Sequence, residues 1–159
     1  MEWASWYYEE AELLDQGRWQ AWLERFHPDA RYEVWLTEVR FHEPQGEQLT
    51  YHPLIADDRL ALGIRVQRLL DGLAWSERPR HLTTRLVGNL MAEPLASGRW
   101  RVKTTVLLWQ WSVSQGRGGV LGFRRTDELA QADGKWQIIH RRVELGSDQV
   151  TEGALSLLL

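Results

Sequence analysis

The stretch GVLGFRRTDELAQADGKWQIIHRRVEL, residues 119–145, decides how this chain folds. Apolar and polar side chains alternate on both sides of Asp133-Gly134, as they do in half-buried strands. Asp-Gly between two such runs is a strong signal for a type I′ hairpin turn. Extending the hairpin without interruption sets Leu129 opposite Ile138, Asp127 opposite His140, Arg125 opposite Arg142 and Phe123 opposite Glu144. One face then carries Leu121, Phe123, Leu129, Trp136 and Ile138 together with Arg125, Asp127, His140, Arg142 and Glu144. Directly opposed residues have Cβ atoms about 4.5–5.5 Å apart, so these charges would touch.

That face admits two readings. A carboxylate beside an imidazole is the starting unit of acid–base catalysis, which makes Asp127 and His140 a candidate catalytic pair. Two carboxylates, two Arg and one His also come close to mutual neutrality, as an ion-pair network inside the chain or across a subunit interface should. On the second reading the chain has no catalytic residue.

Working outward, period-2 alternation covers about 82–92, 99–113, 119–131 and 135–145. The first half reads differently. Ser5 is placed to cap a helix running to about Asp15, and Gly17 breaks it. Trp19, Trp22, Leu23 and Phe26 share one face of a second helix, which His27-Pro28-Asp29 should stop. Residues 31–41 read as a strand and 43–53, with Pro44, Gly46 and Pro53, as a loop. Asp57 or Asp58 caps a third helix, with Leu62, Val66 and Leu69 as its buried stripe, ended by Asp71-Gly72. Residues 74–80 form another loop. Helices first and antiparallel strands after is α+β order: three helices on one strongly curved antiparallel sheet, in a single domain over residues 1–159.

The strand at 99–113 changes polarity along one face. Arg101, Lys103 and Thr105 are followed on that face by Leu107, Trp109, Trp111 and Val113. Either a bulge flips the register, or a partner covers the far half of the face.

Composition removes whole classes of function. With no Cys, the chain has no disulfide, thiolate zinc site, iron–sulfur ligation or cysteine nucleophile. A net charge of −3 gives no field to attract nucleic acid. No apolar run is long enough to span a membrane, and Met1-Glu2-Trp3 does not open a signal peptide, so a cytoplasmic protein is expected. His27, His42, His52, His81 and His140 show no metal-binding spacing. The Gly-rich residues 116–122 precede a strand instead of opening a helix, so they form no phosphate cradle. The ten Trp suit either a Trp-rich core or burial between subunits.

An ordered set of residues carries a family resemblance. Tyr8-x-Glu10-Ala11-x-Leu13-Leu14-Asp15 is followed by Trp22-Leu23, Phe26, Asp29 and Tyr32. Next come Ala56-Asp57-Asp58, Leu62, Arg65-Val66, Arg68-Leu69, Ala74-Trp75-Ser76, Pro79 and Asn89. Gly122, Arg124-Arg125-x-Asp127-x-Leu129, Trp136, Arg141-Arg142 and Asp148-Gln149 complete it. Together they resemble the small (beta) subunits of aromatic-ring-hydroxylating dioxygenases. The resemblance implies a cystatin-like, ketosteroid-isomerase-like cone. It further implies a homotrimer of small subunits docked to large (alpha) subunits in a hetero-hexamer. The Rieske 2Fe–2S cluster and mononuclear iron would sit on the large subunit, and no cofactor on this chain. The implied role is structural, in an oxidoreductase of aromatic catabolism. Trp75, Trp109, Trp111, Arg125, Asp127, His140, Arg142 and Glu144 are then candidates for a subunit interface or ion network. Thr84-Arg85 stand where the family usually has Arg-His; enzymes on related cones often use a His or Asp in the cavity, so Arg85 argues against independent catalysis. Two alternatives stay open: a free-standing isomerase or dehydratase using Asp127 and His140, and a small-ligand-binding domain of the same fold.

Overall fold

A computed structural model describes residues 2–72, 81–147 and 158–159. In chain order the elements are α1 (Trp3–Asp15), α2 (Trp19–Leu23), β1 (Phe26–His42), β2 (Gly46–Asp58), α3 (Arg59–Leu70), β3 (Leu82–Pro94), β4 (Trp100–Ser112), β5 (Arg117–Ala132) and β6 (Lys135–Leu145). The strands form one sheet in the order β2-β1-β6-β5-β4-β3. Helix α1 packs on β3 near one edge, α3 on β1 and β2 at the other, and α2 touches both helices. Six strands laid flat span roughly 24 Å at about 4.8 Å each. Helices in mutual contact reach both edges only because the sheet curls around them, so the expected α+β cone is present.

The departures have local causes. Residues 43–53 are not a loop: β2 extends β1 into a long hairpin, with Thr37 opposite Tyr51 and Val39 opposite Leu49. Pro53 hid it, but β2 is an edge strand and Pro53 sits where the pairing shifts, so no ladder hydrogen bond is lost there. The sheet is mixed, because β1 runs parallel to β6. Helix α2 ends at Leu23, and Phe26 already pairs with Ile138. Pro28 lies inside β1, in the irregular step between Phe26 and Arg31, and stops no helix. Helix α1 starts at Trp3, ahead of Ser5, and its N-cap Glu2 makes no side-chain bond. Packing replaces the cap: the Trp3 ring lies 5.8 Å from Trp100 and 5.1 Å from Trp136.

Other expectations hold. The Asp58 carboxylate accepts from the Ala61 N–H and caps α3, while Asp57 pairs with Arg65. Leu62 and Val66 are buried, and Leu69 packs against the core. The 133–134 turn has φ of 51° at Asp133 and 74° at Gly134, as a type I′ turn requires. The loop expected at 74–80, with Trp75, lies outside the described residues, as does Asp148-Gln149.

Candidate functional site

Strand β5 alternates strictly, and Leu121, Phe123, Arg125, Asp127 and Leu129 all point inward. Its partner β6 does not follow the uninterrupted register. Leu129 pairs with Ile138, but Glu128 pairs with His140, leaving Ile139 as a one-residue bulge. Beyond the bulge every side chain of β6 changes face. Asp127 therefore meets Arg141, and His140 turns outward. The expected Asp127–His140 pair does not exist. On the outer face the His140 ring pairs with Glu33 at 2.6 Å.

Inside the cone the charges close on themselves. Arg141 donates from Nε to Asp127 Oδ1 (2.8 Å) and from Nη2 to Asp127 Oδ2 (2.7 Å). Its other face meets the α1 carboxylate of Glu10, with Nη1 to Oε1 at 2.6 Å and Nη2 to Oε2 at 3.1 Å. A fifth donation goes to the Leu159 carbonyl oxygen at 3.4 Å, so all five guanidinium N–H groups are used. Glu10 also accepts from Trp22 Nε1 (3.0 Å) and Arg125 Nη1 (3.1 Å); Asp127 accepts from the Tyr7 hydroxyl (2.7 Å). Arg125 Nε donates to Thr104 Oγ1. Two anions and two cations balance, and all four are sealed from solvent.

Electrostatics follow from that geometry. Burial alone would raise the Glu10 carboxyl, but the Arg141 and Arg125 guanidiniums outweigh it and hold it at about 2. Burial, then the Asp127 charge, push the Tyr7 phenol well above its ordinary range, so it stays a donor. Burial opposes the Arg141 charge, but Asp127 and Glu10 overcome it. A catalytic acid or base needs a poised group that substrate can reach. Asp127 is fully engaged and has no exposed atom surface to offer.

A second cluster lies beside the first. Arg85, on the inner face of β3, bonds Asp15 of α1 through both its backbone N–H and its guanidinium, and donates to the Leu158 carbonyl oxygen. Leu158 and Leu159 are themselves buried, and Tyr32 bonds the Leu159 backbone.

The eight interface and network candidates thus divide. Arg125 and Asp127 belong to the inner network. His140, Arg142 and Glu144 lie outside, where Arg142 bonds Glu144 (2.8 Å) and lies over Trp35, 4.4 Å from the ring centre. Trp109 and Trp111 lie on the outer face of β4 and are 45% and 37% exposed. No register shift interrupts the β4–β5 pairing, so the change of polarity along β4 is not a bulge. Leu82, Leu86, Leu107, Trp109, Trp111 and Val120 form one exposed apolar patch across β3, β4 and β5. Trp75 lies outside the described residues.

Glu10 and Arg141 are the network members that the sequence reading missed. The signal was present for Glu10, which shares the buried face of α1 with Tyr7, Ala11 and Leu14 at helical spacing. A carboxylate on a buried helix face requires a cation.

The donor set also bears on metals. A chain without Cys cannot supply the two thiolates of a Rieske cluster. Among the described residues no three His, Cys, Asp or Glu converge as a metal site. His27, His52 and His140 each face a single carboxylate.

Three helices held inside one strongly curved six-stranded sheet define the chain as an α+β cone. The chain belongs to the ring hydroxylating beta subunit family, whose sequence model matches residues 9–152. Over 141 residues it is 33% identical to the N,N-dimethyl phenylurea N-demethylase subunit beta of Sphingobium sp. (strain YBL2), covering 87% of this chain and 78% of that one. It is 29% identical over 153 residues to the small oxygenase component of the p-cumate 2,3-dioxygenase system of Pseudomonas putida, covering 96% and 82%. Its fold matches a chain in the structure of naphthalene 1,2-dioxygenase with indole bound in the active site. The TM-score is 0.79 at 21% identity, over 98% of this chain and 83% of that one. The chain is a beta subunit of a ring-hydroxylating oxygenase, an oxidoreductase component.

Proposed function

We propose that this chain, as one domain over residues 1–159, is an assembly subunit that holds a large oxygenase subunit in place and performs no chemistry itself. The observation that carries this reading is the saturated Glu10–Arg141–Asp127–Arg125 network, which occupies the interior where a cone-fold enzyme would need an accessible acid or base. The Rieske 2Fe–2S cluster and mononuclear iron belong on the large (alpha) subunit, and three copies of each subunit make a hetero-hexamer in the cytoplasm. No described helix is long and apolar enough to cross a membrane. One relative's name describes an N-demethylase and another a 2,3-dioxygenase system, which suits a subunit that leaves reaction and substrate to its partner.

The test compares the purified chain alone with the chain reconstituted with its large subunit and electron donors. Aromatic product should form only in the second case. Turnover of a steroid-like ketone, or dehydration of an alcohol, by the chain alone, abolished by Asp127→Asn, would overturn the reading.

A further inference from the structure

Leu158 and Leu159 belong to no helix or strand, yet they lie in the hydrophobic core at 4% and 1% exposure. Among the described residues, only side chains bond their main chain. The Tyr32 hydroxyl accepts from the Leu159 N–H (3.0 Å) and donates to the Leu159 carbonyl oxygen (3.2 Å). Arg141 Nη1 donates to that same oxygen (3.4 Å), and Arg85 Nη2 donates to the Leu158 carbonyl oxygen (2.8 Å). Main-chain groups inside a sheet are paired by the main chain of the next strand; these two residues are held as a bound peptide is held, by side chains that converge on it.

The curl of the sheet assembles this seat. Tyr32 stands on β1, Arg141 on β6 and Arg85 on β3, and β6, β5 and β4 separate β1 from β3. Each residue is fixed before the two leucines are counted. Arg85 is anchored by Asp15, and Arg141 by Glu10 and Asp127. Burial raises the Tyr32 phenol above its ordinary range, so the hydroxyl keeps its proton and offers both a donor and an acceptor. Three preset donors therefore face carbonyl oxygens, and one acceptor faces an N–H. The seat also has a donor to spare: Arg85 Nε is buried and bonds nothing. Buried polar groups are ordinarily satisfied, so the leucine segment does not use all the recognition that the seat provides.

We propose that the cone interior holds a binding seat for an apolar, dipeptide-like group presenting carbonyl oxygens, and that Leu158 and Leu159 occupy it in cis. Tyr32, Arg85 and Arg141 are its recognition residues. The tether gives the segment a high effective concentration, so the seat is filled in the intact chain and free molecules are kept out. Occupancy is linked to stability, because a group that binds the folded cone and not the unfolded chain raises its Tm. The seat lies inside the cone, away from any contact with the large subunit, so its loss would leave the assembly-subunit reading standing.

The test empties the seat and refills it from outside. The full-length chain carrying Leu158→Ser and Leu159→Ser is titrated with N-acetyl-Leu-Leu, both as the free acid and as its methylamide. At least one of the two should bind once per chain by calorimetry and raise the Tm of the variant in a dose-dependent way. N-acetyl-Ser-Ser should do neither, and the unsubstituted chain should bind neither Leu-Leu probe at the same concentrations. Arg85→Lys, added to the variant, keeps a cation beside Asp15 and removes the fork that reaches the Leu158 carbonyl oxygen. It should weaken the probe about tenfold or more. No saturable binding, equal binding of Ser-Ser, equal binding to the unsubstituted chain, or no effect of Arg85→Lys overturns the proposal. If the double Ser variant does not fold, the full-length chain carrying Leu159→Ala is titrated in the same way, and the same outcomes decide.

Discussion

Glu10 sits on a helix face otherwise made of Tyr7, Ala11 and Leu14, and its charge is tolerable there only because Arg141 and Arg125 reach it from the sheet. Removing one partner of a buried ion pair strands the other and costs about 3–5 kcal/mol. Glu10→Gln should therefore lower stability by that order, read as a shift of the urea midpoint. Tyr7→Phe deletes one of three bonds to Asp127 and keeps both from Arg141, so its cost should be nearer 1 kcal/mol. The network also sets a pH dependence. The Glu10 carboxyl is lowered in the fold from 4.5 to about 2. A depressed carboxyl stabilises the fold fully above its unfolded pKa, and that contribution is lost as pH falls through the folded value. Stability should thus decline from about pH 4.5 towards 2, and Glu10→Gln should flatten that part of the profile.

At the scale of elements, a single residue decides the site. The bulge at Ile139 carries the inward phase of β6 from Ile138 to Arg141, Val143 and Leu145. The chain shows this phase change: apolar residues stand at even positions through Ile138 and at odd positions from Val143 on. A hairpin extended straight from its turn overrides the signal and assigns Asp127 the wrong partner. The helices, the type I′ turn and most strands were legible because local periodicity and turn chemistry specify them. Strand β2 was not, because Pro44 and Pro53 read as a loop and an exposed arm leaves no apolar contrast between its faces. The ion network was legible as a set of charges, but its pairing depends on contacts such as Glu10 with Arg141, 131 positions apart. Packing within the β4–β5 hairpin offers a paired test. A Cβ on Gly118 would stand 2.3 Å from the Gln110 carbonyl oxygen, whereas one on Gly119 meets nothing within 4 Å. Gly118→Ala should lower Tm measurably, at a cost of about 1–3 kcal/mol. Gly119→Ala should leave Tm nearly unchanged.

For the whole molecule, two properties that look contradictory belong together. Among the described residues the buried charges of Glu10, Arg85, Arg125, Asp127 and Arg141 are all in ion pairs, while the outer face keeps Trp109, Trp111 and four aliphatic residues in water. A free-standing enzyme of this fold would need the reverse, an open interior and a polar exterior. Closed inside and apolar outside is what a subunit needs when its work is to be held and to hold. Family membership over residues 9–152 makes the chain a beta subunit, and a chain without Cys cannot supply the thiolates of a Rieske cluster. The most direct measurement is the native mass of the complex recovered when a tagged copy of this chain is co-expressed with its large subunit. The account predicts a discrete assembly holding equal numbers of the two chains, with its iron bound to the large chain. Recovery of this chain alone, with the large subunit soluble but unbound, would contradict it.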